Sequence, residues 1–94
     1  MFPRILKRIR ELVRTKQYVM TLHAEEEMDE DRLSLFDVEN TLLTGDIVER
    51  QKDRGTTEWK YLVVGRTLDG TRNVVAVVKL GPGDRLVIIT VYVE

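Results

Sequence analysis

A single histidine, His23, stands in the run TLHAEEEM (residues 21–28), and Glu26 and Glu27 follow it at three and four positions. Imidazole titrates near neutral pH, so His23 is the first candidate for general acid–base work. In the first turn of a helix, the dipole would disfavour its protonated form, while Glu26 and Glu27 would favour it. The bland alternative is a histidine that hydrogen-bonds backbone at a helix start. His23 and Glu27, at i and i+4, also offer two metal ligands on one helix face, with Glu26 as another choice. A site needs three or four ligands, and the chain has no second histidine, no cysteine and no EF-hand loop. Neither a metal nor any other cofactor is expected.

A second set of residues lies in the β-rich half. Alternation puts Trp59, Tyr61 and Val63 on one face of a strand and Lys60, Leu62 and Val64 on the other. Along the last strand Leu86, Ile88, Thr90 and Tyr92 share a face. Thr90 and Tyr92 are then expected to point together into a groove beside His23, or else to be core and edge residues. The bases Lys60, Arg66, Arg72, Lys79 and Arg85 fall in strands or at their ends. A concave sheet carrying them with a tyrosine is a candidate surface for a phosphate backbone. The isoelectric point near 5.9 pulls against a committed nucleic-acid binder. No P-loop, dinucleotide fingerprint, Ser–His–Asp or Cys–His arrangement is present, and no glycosidase pair stands out among sixteen acids.

The elements that must hold these groups follow from periodicity. Pro3 suits a first helical turn, and Ile5, Leu6, Ile9, Leu12 and Val13 recur at helical spacing, which predicts an amphipathic helix over 3–16. Residues 17–20 (QYVM) read as a short, β-prone connector that can extend along the sheet. A second helix is predicted over 22–31 with Leu22, Met28 and Ala24 inward. Its acidic last turn, Glu30 and Asp31, opposes the helix dipole and should fray unless Arg32 or a base of the first helix compensates. Ser34 and Asp37 resemble a capping box, Leu35, Val38, Leu42 and Leu43 form an apolar stripe, and Gly45 is placed as a left-handed cap of a helix over 35–44. From Asp46 the period becomes two. Strands are predicted over 47–51, 57–66, 72–80 and 85–93, with turns at 52–56, 68–70 and 81–84. Short connections demand antiparallel neighbours. The expected fold is α+β, with N-terminal helices packed on one face of a four-stranded antiparallel meander.

Length and composition bound what such a chain can be. Ninety-four residues, 43% hydrophobic and 33% charged, suit one domain over 1–94 with one core. The basic, amphipathic N-terminus lacks the apolar centre of a secretory signal, and no apolar run approaches the roughly 20 residues of a membrane helix. A cytoplasmic chain with no membrane partner is expected. The net charge of −1 is unevenly spread. Residues 1–16 hold six bases against the single acid Glu11, and residues 25–31 hold six acids and no base. Such faces either solvate, neutralise each other, or bind a partner of opposite charge.

Four segments taken together resemble a known family: TLHAEEEM, SLFDVENTLLTGDIVE, KYLVVG and VIITVY. They are similar to domain of unknown function 4258, a small bacterial and archaeal family. Its pattern reads T-x-H-A-x-x-R-M-x-E-R-x-I, then a D-V-E-x-A-L-x-x-G helix and a closing I-x-T-V-Y strand. The resemblance covers about residues 18–93. It implies a fold related to the RelE, ParE and BrnT toxins and, with it, metal-independent cleavage of RNA. There the 2′-hydroxyl attacks the adjacent phosphate while a base takes its proton and cations stabilise the developing charge. His23 would be the acid or base, Tyr92 a proton donor or stacking group beside Thr90, and Arg66, Arg72, Lys60 and Lys79 the phosphate contacts. Where the family has its two arginines, this chain has Glu27 and Asp31, with Arg32 displaced by one position. These acids should repel RNA, so the alternative expectation is a non-catalytic module of the same fold. It would bind an antitoxin or other protein, or a second copy through the first helix or the last strand.

Overall fold

Pro3 opens α1 (Pro3–Arg14), whose Leu6, Ile9, Leu12 and Val13 are buried, whose Arg4, Lys7 and Arg14 are exposed, and whose half-buried Arg10 donates to the Gly45 carbonyl at 3.0 Å. Lys16, with φ of 60°, turns the chain after α1. The computed structural model describes residues 1–55 and 57–94.

The β-prone connector at 17–20 does extend along the sheet, as a strand, β1 (Tyr18–Met20), which enlarges the sheet beyond the four expected strands. α2 (Leu22–Glu30) follows at once, capped by Thr21, whose hydroxyl accepts from the Ala24 N–H and donates to the Ile89 carbonyl. That cap costs nothing in chain length, so helix and strand share one corner. α3 (Leu35–Thr44) starts with the expected capping box, Ser34 and Asp37 each bonding the other's backbone N–H.

Gly45 does not take the left-handed conformation expected of it; its φ of −81° and ψ of −177° are extended. Close approach explains the glycine. A Cβ there would lie 2.4 Å from the Val64 carbonyl oxygen and 2.5 Å from that of Thr41, so any side chain would push the helix end off the sheet.

β2 (Asp46–Lys52), β3 (Trp59–Arg66), β4 (Asn73–Leu80) and β5 (Leu86–Val93) run antiparallel in succession, with a short 3-10 turn at Pro82–Asp84. Part of the predicted 52–56 turn, Thr56, lies outside the described residues. The sheet order is β1-β5-β4-β3-β2, and β1 pairs in parallel with β5, Tyr18 opposite Leu86 and Met20 opposite Ile88. The sheet is therefore five-stranded and mixed, not a four-stranded antiparallel meander. The parallel pair arises because α2, α3 and three strands intervene between β1 and β5, a crossover that a short connection cannot supply.

One apolar cluster joins the helices to the sheet: Ile9, Leu12 and Val13 of α1, Ala24 of α2, and Val38 and Leu42 of α3 pack against Val63, Val74, Ala76, Val78, Leu86, Ile88 and Val91. Val75 and Val77 alternate with these on β4 and point to the opposite face.

Candidate functional site

α2 and β5 together build the region around His23. β1 ends at Met20, opposite Ile88, so beyond that point the side of β5 away from β4 has no strand beside it. α2 runs on along this edge in place of a strand. Glu27 Oε1 accepts from the Val91 N–H at 3.3 Å, and Asp31 Oδ2 accepts from the Val93 N–H at 3.0 Å. The match is geometric: four helical residues advance about 6 Å and two strand residues about 6.6 Å, so carboxylates at i and i+4 meet amides at j and j+2.

His23 lies near the start of α2 with its side chain 66% exposed, and its Nε2 sits 3.1 Å from the same Glu27 Oε1 that holds Val91. The pair is in reach of solvent, as acid–base chemistry would require. Among the described residues, no third His, Asp or Glu converges with it as a metal ligand. The surface there forms no pocket.

Thr90 and Tyr92 do not share a face with Leu86 and Ile88. The β4–β5 register slips between Val77 opposite Thr90 and Val78 opposite Ile88, leaving Ile89 as a bulge residue. Past it the alternation inverts: Val91 enters the core, and Thr90 and Tyr92 pair with Val77 and Val75 on the face away from the helices. The expectation of a shared groove with His23 rested on uninterrupted alternation, which the bulge removes. No hydrogen bond joins His23 to either residue among the described residues.

The expected phosphate contacts are spread apart and mostly engaged within the fold. Arg72 precedes β4 and donates to the Asp31 carbonyl at 2.6 Å and the Arg32 carbonyl at 3.2 Å. It thus caps the C-terminus of α2, supplying from the β3–β4 hairpin the compensation expected of Arg32 or of α1. Arg66 donates to the Gly70 carbonyl at 3.1 Å. Lys79 lies 3.3 Å from Asp53 and 3.5 Å from Glu58, and the Asp53 hydrogen bond leads in holding its ammonium above the usual lysine range. Lys60 faces Lys79 across the β3–β4 pair.

Other titratable groups tie elements together. Burial opposes ionisation of Asp37, but the Leu68 N–H and the Ser34 N–H and hydroxyl outweigh it and keep its carboxyl below the ordinary range. Glu39 behaves likewise: burial raises its pKa, and bonds from Lys16 and Tyr18 at 2.6 Å each more than offset that. Tyr18 in turn is pushed well above the usual tyrosine range, first by burial and then by Glu39. Asp69 is lowered to about 2, chiefly by the Thr67 hydroxyl and the Thr71 N–H and hydroxyl in the hairpin turn.

A different grouping was not anticipated from sequence. Arg50 lies 4.0 Å from the Trp59 ring centroid and 4.9 Å from that of Phe2, and Lys52 lies 4.7 Å from Trp59. The signal was available in the cross-strand spacing of Arg50 and Lys52 against Tyr61 and Trp59, once the β2–β3 register is known. For Glu27 and Asp31 the signal was their position on the helical stripe of Ala24 and Met28, which turns inward.

A family model described as "Domain of unknown function (DUF4258)" matches residues 20–93. The chain belongs to the DUF4258 family. The DUF4258 match takes in α2, α3 and β2 to β5 and begins at the last residue of β1, leaving α1 outside it. No curated protein and no solved structure gives a match. Among the described residues, no helix is long and apolar enough to cross a membrane.

Proposed function

We propose that this DUF4258 chain is a toxin-like domain of RelE type that acts by binding a protein partner, an antitoxin or another protein, and does not cut RNA. One observation carries the reading: Glu27 and Asp31, standing where the family has arginines, are committed to the Val91 and Val93 amides. A phosphate approaching His23 would meet carboxylates at 25, 26, 27, 29 and 30 in place of guanidinium groups. The remaining cations do not offset this, because Arg72, Arg66 and Lys79 are engaged elsewhere. Stabilising a phosphorane-like charge needs donors already aimed at it, and these three are bonded to groups of the protein away from His23.

The second reading, a metal-independent endoribonuclease with His23 as its base, is favoured by the exposed His23–Glu27 pair. Incubation of wild type and His23→Ala with mixed-sequence RNA, in low salt with EDTA, separates the two. The interaction reading expects intact RNA with both proteins. Cleavage by wild type and not by His23→Ala would overturn it.

A further inference from the structure

The sheet has a second edge, and it is treated differently. β2 is the outermost strand, and among the described residues no strand or helix pairs with its outer side over Asp46–Lys52. An unpaired edge of this length is a template for another extended chain. After the slip between Ile47 and Glu49, the strand runs regularly and sorts its side chains by face. Arg50 and Lys52, opposite Tyr61 and Trp59, point to the helix side; Glu49 and Gln51, opposite Leu62 and Lys60, point to the other.

The two cations are held, not free to swing away. Arg50 is sandwiched against Phe2 and Trp59, and Lys52 rests on Trp59. Neither forms an ion pair among the described residues, so no internal carboxylate must be displaced for a partner to use them. Arg4, two positions after Phe2 in the first turn of α1, is exposed and adds a further positive charge at this end of the helix.

A second copy of this chain is a poor occupant. Residues directly opposite in an antiparallel pair project to the same side. Within the regular stretch, β2 against β2 would therefore set Arg50 opposite Arg50 or opposite Lys52. Both registers place cations together, which is unfavourable for cross-strand pairs.

We propose that β2 receives an added strand from a partner protein, an extended segment with carboxylates at alternate positions facing Arg50 and Lys52. This rests on the interaction reading above and names the chemistry of its partner. Main-chain bonds to β2 would supply affinity, and the cation–aromatic row would select acidic sequence.

Trp59 is the only tryptophan of the chain, and its emission reports on this edge directly. The probe is a short synthetic peptide of alternating valine and glutamate, titrated against the intact protein at low and high salt. Saturable, salt-sensitive binding is expected, weakened about tenfold in the double variant Arg50→Gln, Lys52→Gln as two exposed charge pairs are lost. Both residues are exposed, so the variant should keep the wild-type circular dichroism spectrum, which is recorded alongside, while its melting temperature falls by the loss of the cation–ring contacts alone. The same peptide N-methylated along one edge should lose binding, as strand addition requires.

Three results would overturn the proposal: no saturable binding, equal binding of a valine–lysine peptide, or binding of oligouridylate in place of the acidic peptide. The last would make the edge a nucleic-acid surface. The RNA cleavage assay judges the interaction reading separately. Uncut RNA with no peptide binding would remove the β2 assignment alone, whereas RNA cleavage would count against the interaction reading whatever the titration shows.

Discussion

β1 with α2 on one side of the sheet, and β2 on the other, face the same physical problem. Each borders backbone N–H and C=O groups that lack a neighbouring strand. On the first side the strand is only three residues long, and the helix that follows it lays two carboxylates on the β5 amides left over. On the second side seven residues of β2 remain open, with arginine and lysine fixed on a tryptophan beside them. The difference teaches where this chain has given its charges internal work. Acids at α2 finish the fold, while cations at β2 are left available to something outside it.

Breaking the closed edge should have the largest effect. Asp31→Ala leaves the half-buried Val93 N–H without a partner and should cost about 1–2 kcal/mol in urea denaturation. The Val93 amide should then exchange hydrogen much faster, at a rate approaching that expected of unpaired amides on the β2 edge. Arg72→Ala comes next. It uncaps α2 from the hairpin side at a cost of about 1 kcal/mol and should lower helicity near Glu30 and Asp31 by NMR.

An acid titration loosens the β3–β4 turn through Asp37 and Asp69, away from both edges, and the β1 side through Glu39, which Tyr18 of β1 bonds. Asp37, Glu39 and Asp69 all have folded pKa values below their ordinary ones, Asp69 about 2 against 3.8. A depressed carboxylate stabilises above its unfolded pKa and loses that contribution as pH falls through the folded value. Stability should therefore hold down to about pH 4 and decline from there towards pH 2. Loss of the Asp37 bond to Leu68 should register first as exchange broadening of the β3–β4 turn.

What sequence alone discloses follows the locality of each signal. α3 was readable because the Ser34–Asp37 capping box and the Val38, Leu42 spacing all lie within a dozen residues, although Leu35, placed on the same stripe, is exposed. The hairpin turn at Asp69 and Gly70 was readable for the same reason, and Gly70 does adopt a positive φ of 76°. The parallel pairing of β1 was not, because a three-residue strand joins a partner about 68 positions away, the separation of Tyr18 from Leu86. The run LVIITVYV has apolar residues at both parities, so its pattern does not mark the slip at Ile89 that turns Thr90 and Tyr92 to the far face. Gly45 was identified as necessary but for the wrong reason: the requirement is the nearby Val64 carbonyl, not a left-handed backbone. An acidic run on a short helix ordinarily faces water, and most of α2 does. Glu27 and Asp31 depart from that only because an unpaired strand edge lies beneath them.

The most direct test exchanges those two residues for arginine. The double variant Glu27→Arg, Asp31→Arg would be followed by urea denaturation and by RNA cleavage in EDTA. If the carboxylates serve β5, the variant should lose about 2–4 kcal/mol of stability, expose the Val91 and Val93 amides to exchange, and leave RNA intact. Unchanged stability together with newly acquired, His23-dependent cleavage would contradict the account, because the acids would then have been silencing a catalytic site and not closing an edge.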